Sequence, residues 1–456
     1  MALKTIILAA GDSTRMKSSI PKLLHRIAGK KIIEHLSSTV KSIKSRNVIF
    51  VLNKKSQELK KVADHFGFSL AYQNIAKGTA DAAKIALKRV KIKINDRILI
   101  LCGDVPFITK TTLSSIINKT NYSDMCIGVS VVEKPFGYGR IIRNNNKIIT
   151  IVEEKDASSD IKKINEINTG IICIKEGVLR KYLKLIDNNN KQTEFYLTDL
   201  VKLLIQDKHK ITSYKIKNIV EIMGINTKED LVNLEIKNSL KKALKLLEKG
   251  VLVRDINRID IRGDLKAQPD VEIDINCIFE DKVSIGSNSR IGHNCYLNRC
   301  KIGNNVNIKP NTIIFGSIIG DNCTVGPYAR VRTGTTIKKD VQIGNFVEIK
   351  NSTINSGTRI NHLSYIGDAV LGSNINIGAG TITCNFDGEK KHKTIIENNS
   401  FIGSGTKLVA PIKIAAGSYI GAGSTLTKDT SGDGTLTIAR SKQISVRGWK
   451  RRKGKK

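Results

Sequence analysis

Two hydrophobic rhythms divide this chain. Over the first half, apolar runs of strand length end in turn residues: KTIILAAG, NVIFVLN, RILILCGD and SDMCIGVSVV. They alternate with stretches of helical period such as KKIIEHLSSTVKSIK and ADAAKIALKRVK. Buried strands separated by helices predict an α/β domain with a Rossmann-like, mostly parallel, doubly wound sheet. Ligands of such sheets bind at the carboxyl ends of strands, and LAAGDSTRM and LCGD both fall there.

Beyond the middle of the chain the rhythm changes to six. Ile319, Val325, Val331, Ile337, Ile343 and Ile349 keep that spacing, which resumes at Ile354, Ile360 and Ile366, then Leu371 and Ile377. It returns at Ile402, Leu408, Ile414, Ile420 and Leu426. A repeat of this length predicts a parallel β-helix, each aliphatic pointing into a narrow core and three hexads making one coil. The stretch CNFDGEKKHKT, from Cys384 to Thr394, has no aliphatic hexad and is expected to leave the helix as a loop, where binding chemistry concentrates.

Between the two rhythms lies NTKEDLVNLEIKNSLKKALKLLEKG, residues 226–250. Thr227 with Asp230 has the spacing of a capping box and Gly250 suits a helix stop. Leu231, Leu234, Leu244 and Leu247 are expected to form its apolar stripe. The domains are therefore drawn at 1–226, a linker helix at 227–250, and 251–456.

Composition adds little to this division. The net charge of +35 raises nucleic acid or an anionic membrane as a partner. The lysines, however, are spread through a chain also rich in Ile and Asn, as an AT-rich genome would produce. Only VRGWKRRKGKK at the C-terminus is a basic cluster, a solvated tail or a contact for a polyphosphate ligand. No aromatic-rich RNA-binding motif accompanies it, so no nucleic-acid partner is expected. No apolar run approaches the ~18 residues of a membrane span, and no signal-peptide pattern opens the chain. The eight cysteines form no C-x-x-C pair and read as small thiols of a reducing cytoplasm.

LAAGDSTRM fits neither the dinucleotide fingerprint nor Walker A, having one glycine and no P-loop lysine. With the following residues it reads LAAGDSTRMKSSIPK, which resembles the sugar-nucleotidyltransferase signature L-x-x-G-x-G-T-x-M followed by P-K, with Ser13 in place of the second glycine. That half, together with HLSYIGDA, NIGAGTITCNFDG and FIGSG, resembles the GlmU family over essentially the whole chain. These are bacterial bifunctional N-acetylglucosamine-1-phosphate uridyltransferases and glucosamine-1-phosphate N-acetyltransferases.

The resemblance implies that the first domain transfers UMP from UTP to N-acetylglucosamine-1-phosphate, releasing pyrophosphate. Leu8, Ala9, Ala10 and Gly11 would cradle the nucleotide, needing small residues for close approach, while Arg15 and Lys22 neutralise phosphate charge. Mg2+ would be held by Asp104 in LCGDVP and Asn226 in MGIN. Gln73 with Gly78 and Thr79 would read the uracil, beside Cys102 and Gly103, Cys102 standing where tyrosine is common. Gly139, Glu153 and Asn168 would hold the sugar and its N-acetyl group.

In the second domain the resemblance implies a left-handed β-helix and acetyl transfer from acetyl-CoA to glucosamine-1-phosphate. His362 would take the amine proton, an imidazole of ordinary pKa near ~6.5 being suited to that task; the six other histidines match no site pattern. Arg332, Lys350, Tyr365, Asn376, Asn385 and Phe386 would bind the sugar phosphate, Phe386 again replacing a tyrosine. Ala379, Ser404, Ala422 and Arg440 would line the acetyl-CoA site. The family also implies a cytoplasmic homotrimer feeding UDP-N-acetylglucosamine to peptidoglycan and, where present, lipopolysaccharide. Two rival readings are a nucleotidyltransferase with a merely structural β-helix and a basic scaffold that binds polymers. The first leaves His362 without a role, the second both His362 and Asp104.

Overall fold

The computed structural model describes residues 2–11, 14–54, 56–89, 91, 93–432 and 434–449. Ser13 and the tail residues 450–456 lie outside the described residues. The chain divides into two compact units, Met1–Asn238 and Ser239–Lys456.

The first unit is built on a nine-stranded sheet. Its strands are β1 (Leu3–Leu8), β2 (Asn47–Leu52), β3 (Ser69–Tyr72), β4 (Arg97–Cys102), β5 (Met125–Val131), β6 (Arg140–Asn144), β7 (Lys147–Val152), β8 (Glu166–Lys175) and β9 (Ile211–Lys215). The order is β9-β5-β8-β4-β1-β2-β3, with the β6–β7 hairpin attached through β8. Both faces of β1 are covered, as its unbroken apolar run predicts: Ile7 joins a cluster containing Leu36 and Ile116, and Ile6 one containing Ala83 and Leu179. Only β8 opposes its neighbours on this path. It follows the hairpin and a one-turn helix, Ser159–Lys162, too short for a parallel crossover.

The linker helix spans Lys228–Leu247. Its start is a reciprocal cap: the Asp230 N–H donates to Thr227 Oγ1 at 3.0 Å, and the Thr227 N–H to Asp230 Oδ2 at 2.8 Å. Its end is a Schellman turn, with bonds from the Val251 N–H to the Leu246 carbonyl and from the Gly250 N–H to the Leu247 carbonyl, and Gly250 at φ +80°. The expected stripe is half wrong. Leu234 is fully buried, but Leu244 is 45% exposed and Leu247 39%. The buried positions of the later half are Asn238, Ser239, Ala243 and Leu246, because Ala243 and Leu246 join the core of the second unit rather than extending the Leu231–Leu234 face.

The second unit is a parallel β-helix. Ile285 pairs with Ile302, Ile302 with Ile319, Ile319 with Ile337 and Ile337 with Ile354, and contacts between adjacent coils span 17 or 18 residues. The inward aliphatics form one cluster running from Val251 to Leu426. Past Leu371 the separation becomes 25 residues, as between Asn374 and Asn399, marking the ejected loop. The loop is shorter than its sequence suggests: Cys384 and Thr394 belong to the strands Ile382–Cys384 and Thr394–Ile396. Thr383 fills the inward slot by donating its hydroxyl to the Gly367 carbonyl at 3.1 Å, and Ile396 resumes the hexads one position earlier than read. The eight cysteines are free, six of them buried. Among the described residues no helix is long and apolar enough to cross a membrane.

Candidate functional sites

The expected nucleotide site assembles at the carboxyl ends of β1 and β4. The Ala9 N–H bonds the Val51 carbonyl and the Gly103 N–H bonds the Leu8 carbonyl, so the chain past β1 is fixed to strands on both sides. Among the described residues a Cβ on Gly11 would find no atom within 4 Å, so none of them crowds the turn on that side. Lys22 opens the short turn Lys22–Leu24, anchored by buried Leu23 and Leu24.

Lys22 Nζ lies 2.6 Å from Asp104 Oδ2 and 3.1 Å from Asn226 Oδ1, and Arg15 Nη2 donates to that same Asn226 oxygen at 2.9 Å. Asn226 is delivered by the linker-helix cap. Its N–H donates to Asp230 Oδ2 at 3.0 Å, while the neighbouring Ile225 N–H bonds the Asp104 carbonyl.

Two cavities meet here, sharing Leu8, Thr79, Cys102 and Asp104. One, of about 450 Å³, is lined by Ala9, Ala10, Gly11, Lys22, Gln73 and Gly78. Gly78 sits at φ +108°, and any Cβ there would lie 2.5 Å from the Phe195 carbonyl oxygen. The buried Gln73 donates to Asp81 Oδ2 at 2.8 Å and to the Gly78 carbonyl at 3.2 Å. The other cavity, about 460 Å³, is lined by Arg15, Gly139, Glu153, Asn168 and Asn226. Burial pushes the Glu153 carboxyl upward in pKa, against the Thr198 hydroxyl that donates to it at 2.9 Å. Asn168 opens a bulge in β8, its Oδ1 accepting the Gly170 N–H at 3.1 Å. Burial, then the charge of Asp104, raises the Cys102 thiol to about 12, so it stays neutral.

Sequence reasoning missed Tyr138, Glu194 and Thr198, which line these cavities. They come from connections whose only signal is proximity in the fold.

In the β-helix, Arg332 and Lys350 occupy equivalent positions on adjacent coils, Val331 pairing with Ile349. Arg332 Nη1 is 2.7 Å from Glu348 Oε1. Lys391, bridged to Phe386 in the ejected loop, was missed by sequence reasoning; the neighbouring charge of Lys350 holds its ammonium below the ordinary pKa. Tyr365 leans over Gly367, in register with Lys350, and Asn385 donates to Asp368. Phe386 is 60% exposed in the loop. Asn376 stands apart from this group, on another sheet and in register with Arg359.

His362 projects from a corner, exposed, with Nδ1 3.1 Å from Asn345 Oδ1 on the preceding coil. From this corner onward the side chains shrink. Tyr328, Phe346 and Leu363 hold the left-handed position in successive coils, followed by Gly380, Gly405 and Gly423. Backbone bonds from Gly380 to His362, Gly405 to Ala379 and Gly423 to Ser404 keep these coils stacked. His362, Ala379, Ser404 and Ala422 thus form a column along one edge, and Arg440 Nη1 donates to the Ala422 carbonyl at 3.0 Å. The result is an edge of small residues ending at a cation.

Residues 5–146 match the MobA-like NTP transferase domain, 261–342 the GMPPB C-terminal domain, and 393–428 the bacterial transferase hexapeptide (six repeats). A solved inositol-1-phosphate CTP transferase from T. maritima is similar over 51% of this chain and 94% of its own, at 17% identity and TM-score 0.41. The bifunctional protein GlmU of Methylococcus capsulatus is 40% identical over 453 residues, 99% of this chain and 98% of that protein. With both domain types in place along that shared length, the chain belongs to the bifunctional GlmU family, a uridylyltransferase and an acetyltransferase on one polypeptide.

Proposed function

We propose that the two activities occupy the two sites described and divide UDP-N-acetylglucosamine synthesis between them. In the first unit UTP lies along the cavity of Ala9–Gly11, Gln73 and Gly78–Thr79, and N-acetylglucosamine-1-phosphate lies in that of Gly139, Glu153 and Asn168. The observation that supports this best is the junction of Lys22, Asp104 and Asn226 where the cavities meet. The attacking phosphate oxygen is already ionised, so no base is needed. An oxygen of the sugar phosphate bonds to the α-phosphorus while the bond to pyrophosphate breaks, and Arg15 and Lys22 neutralise the charge of the departing group. Asp104 and Asn226 offer hard oxygens converging on one point, the donor set that suits Mg2+ completed by phosphate and water. When bound, Mg2+ would supply further positive charge to the phosphates.

In the second unit His362 is the base for acetyl transfer. Asn345 accepts from Nδ1 and leaves Nε2 free to take the proton of the attacking amine. The amine nitrogen bonds to the acetyl carbon, and CoA leaves as the thiol. Lys350 and Lys391 hold the sugar phosphate with Arg332, Tyr365, Asn385 and Phe386 around it. CoA runs along the edge of small residues past Ala379, Ser404 and Ala422 toward Arg440. The protein works as a cytoplasmic homotrimer, which the flat faces of a β-helix permit.

Paired assays test the division. One follows thiol release from acetyl-CoA with glucosamine-1-phosphate, the other pyrophosphate release from UTP with N-acetylglucosamine-1-phosphate and Mg2+. Asp104→Ala is expected to abolish only the second and His362→Ala only the first. Pyrophosphate release without any thiol release by the unmodified protein would reduce the β-helix to a scaffold.

A further inference from the structure

The loop between Cys384 and Thr394 closes on itself. Phe386 and Lys391 form an antiparallel bridge, the His392 N–H donates to the Asn385 carbonyl at 2.8 Å, and the Asp387 N–H to the Lys390 carbonyl at 3.2 Å. A side-chain clasp then spans the hairpin. Asp387 Oδ1 accepts the N–H groups of Glu389 and Lys390 at 2.8 and 2.6 Å, and Asp387 Oδ2 lies 2.6 Å from His392 Nε2. The Lys390 N–H, the His392 imidazole and the Glu389 N–H together hold the Asp387 carboxyl well below the usual carboxylate range. At the hairpin base Asn385 donates to Asp368, which also accepts from Asn351 Nδ2 at 2.6 Å.

The returning arm of the hairpin carries Lys391, next in sequence to His392. The bridge to Phe386 and the bond from Asn385 to Asp368, whose N–H in turn bonds the Lys350 carbonyl, bring this arm to the coil of Lys350. The neighbouring Lys350 charge lowers the Lys391 pKa, because like charges repel. The Asp368 carboxylate offsets this only in part, since the Lys391 pKa remains lowered. The backbone bridge of Lys391 to Phe386 holds the arm against this repulsion, and the clasp beside it is the side-chain contact that braces the same hairpin. Two ammonium groups held together suit a doubly charged phosphate, which relieves the repulsion when it binds.

We propose that His392 and Asp387 are positioning residues: by clasping the hairpin they set Lys391 beside Lys350 and so fix the enzyme's affinity for the phosphate of its acetyl acceptor. This rests on the reading that Lys350 and Lys391 hold that phosphate. His392 touches no reacting atom.

The test is steady-state thiol release by the full-length protein and its His392→Ala, His392→Gln and Lys391→Ala variants, with glucosamine-1-phosphate and acetyl-CoA varied in turn. His392→Ala is expected to raise KM for glucosamine-1-phosphate about 3- to 10-fold, the scale of one partly exposed charge-assisted bond. KM for acetyl-CoA and kcat should stay within about twofold on the same grounds. His392→Gln, whose amide can still donate to Asp387, should recover most of the loss. Lys391→Ala should raise the same KM further. If Lys391→Ala raises it and His392→Ala does not, the clasp is overturned while the phosphate reading stands. If Lys391→Ala leaves it unchanged, the phosphate reading falls and the clasp with it. A His392→Ala loss spread over both KM values and kcat, and not recovered by Gln, also overturns the proposal, since it would mark a general structural role.

Discussion

Lys22 Nζ bridges Asp104 Oδ2 and Asn226 Oδ1, 2.6 and 3.1 Å away. One side-chain cation thus stands at the oxygens proposed to hold Mg2+, at the point where the two cavities meet. Lys22→Ala should lower kcat for pyrophosphate release by about 10²- to 10³-fold, the usual scale for losing one transition-state charge contact. Thiol release should be unchanged in the same preparation. A loss below twofold would remove Lys22 from the reaction.

Chelation separates the reactions without mutation. Excess EDTA should stop pyrophosphate release, and added Mg2+ should restore it, while thiol release continues at its full rate. His362 has no metal partner in the proposed mechanism. Thiol release that falls with chelation would contradict that.

His362→Ala should lower kcat for thiol release by about 10²- to 10⁴-fold. Asn345→Ala, which removes only the acceptor holding Nδ1, should cost about tenfold. Pyrophosphate release should be untouched in both. Equal losses at the two positions would mean that Asn345 does more than orient the ring.

Gly78→Ala forces a Cβ to within 2.5 Å of the Phe195 carbonyl oxygen at a φ of +108°. The strain should cost the first unit about 1–3 kcal/mol and displace Thr79, raising KM for UTP. Calorimetry and UTP titration would show both. An unchanged melting temperature would mean that the Phe195 backbone yields freely.

Asp124, just before β5, makes a pH prediction that involves no proposed site residue. Burial alone would raise its carboxyl pKa, but Lys175 at 2.9 Å, His209 at 3.0 Å and the Lys210 N–H at 3.1 Å bring it down to about 2. Because the folded value lies below the unfolded one near ~3.9, the stabilisation is full above that value and fades as pH falls toward 2. After solvent screening it amounts to about 1 kcal/mol. The melting-temperature gap between the protein and Asp124→Asn should be widest near neutral pH and close in strong acid. A gap independent of pH would remove the linkage.

The β-helix was readable because every coil repeats one environment, so Ile319, Ile337 and Ile354 carry the same message. Asp104 and His362 were readable through the motifs around them. What escaped has no period. Ala243 is buried and Leu244 exposed because of which unit the helix packs on, a fact absent from a leucine count. Lys391 was hidden among the lysines of KKHK until the hairpin brought one of them near the charge of Lys350. His392 matched no site pattern for the same reason, its partner Asp387 being set by the turn and not by a motif.

The column His362, Ala379, Ser404, Ala422 places one residue on each successive coil, and neighbouring strands of any sheet are about 4.8 Å apart. On the proposed reading the edge is therefore a graduated ruler, marked in rungs, against which the long thin CoA molecule would lie. Removing one whole coil between Ala379 and Ala422 would keep every remaining side chain on its proper face. It would also bring Arg440 one rung, about 4.8 Å, closer to His362. Such a protein would still fold as a prism, yet would measure its cosubstrate short.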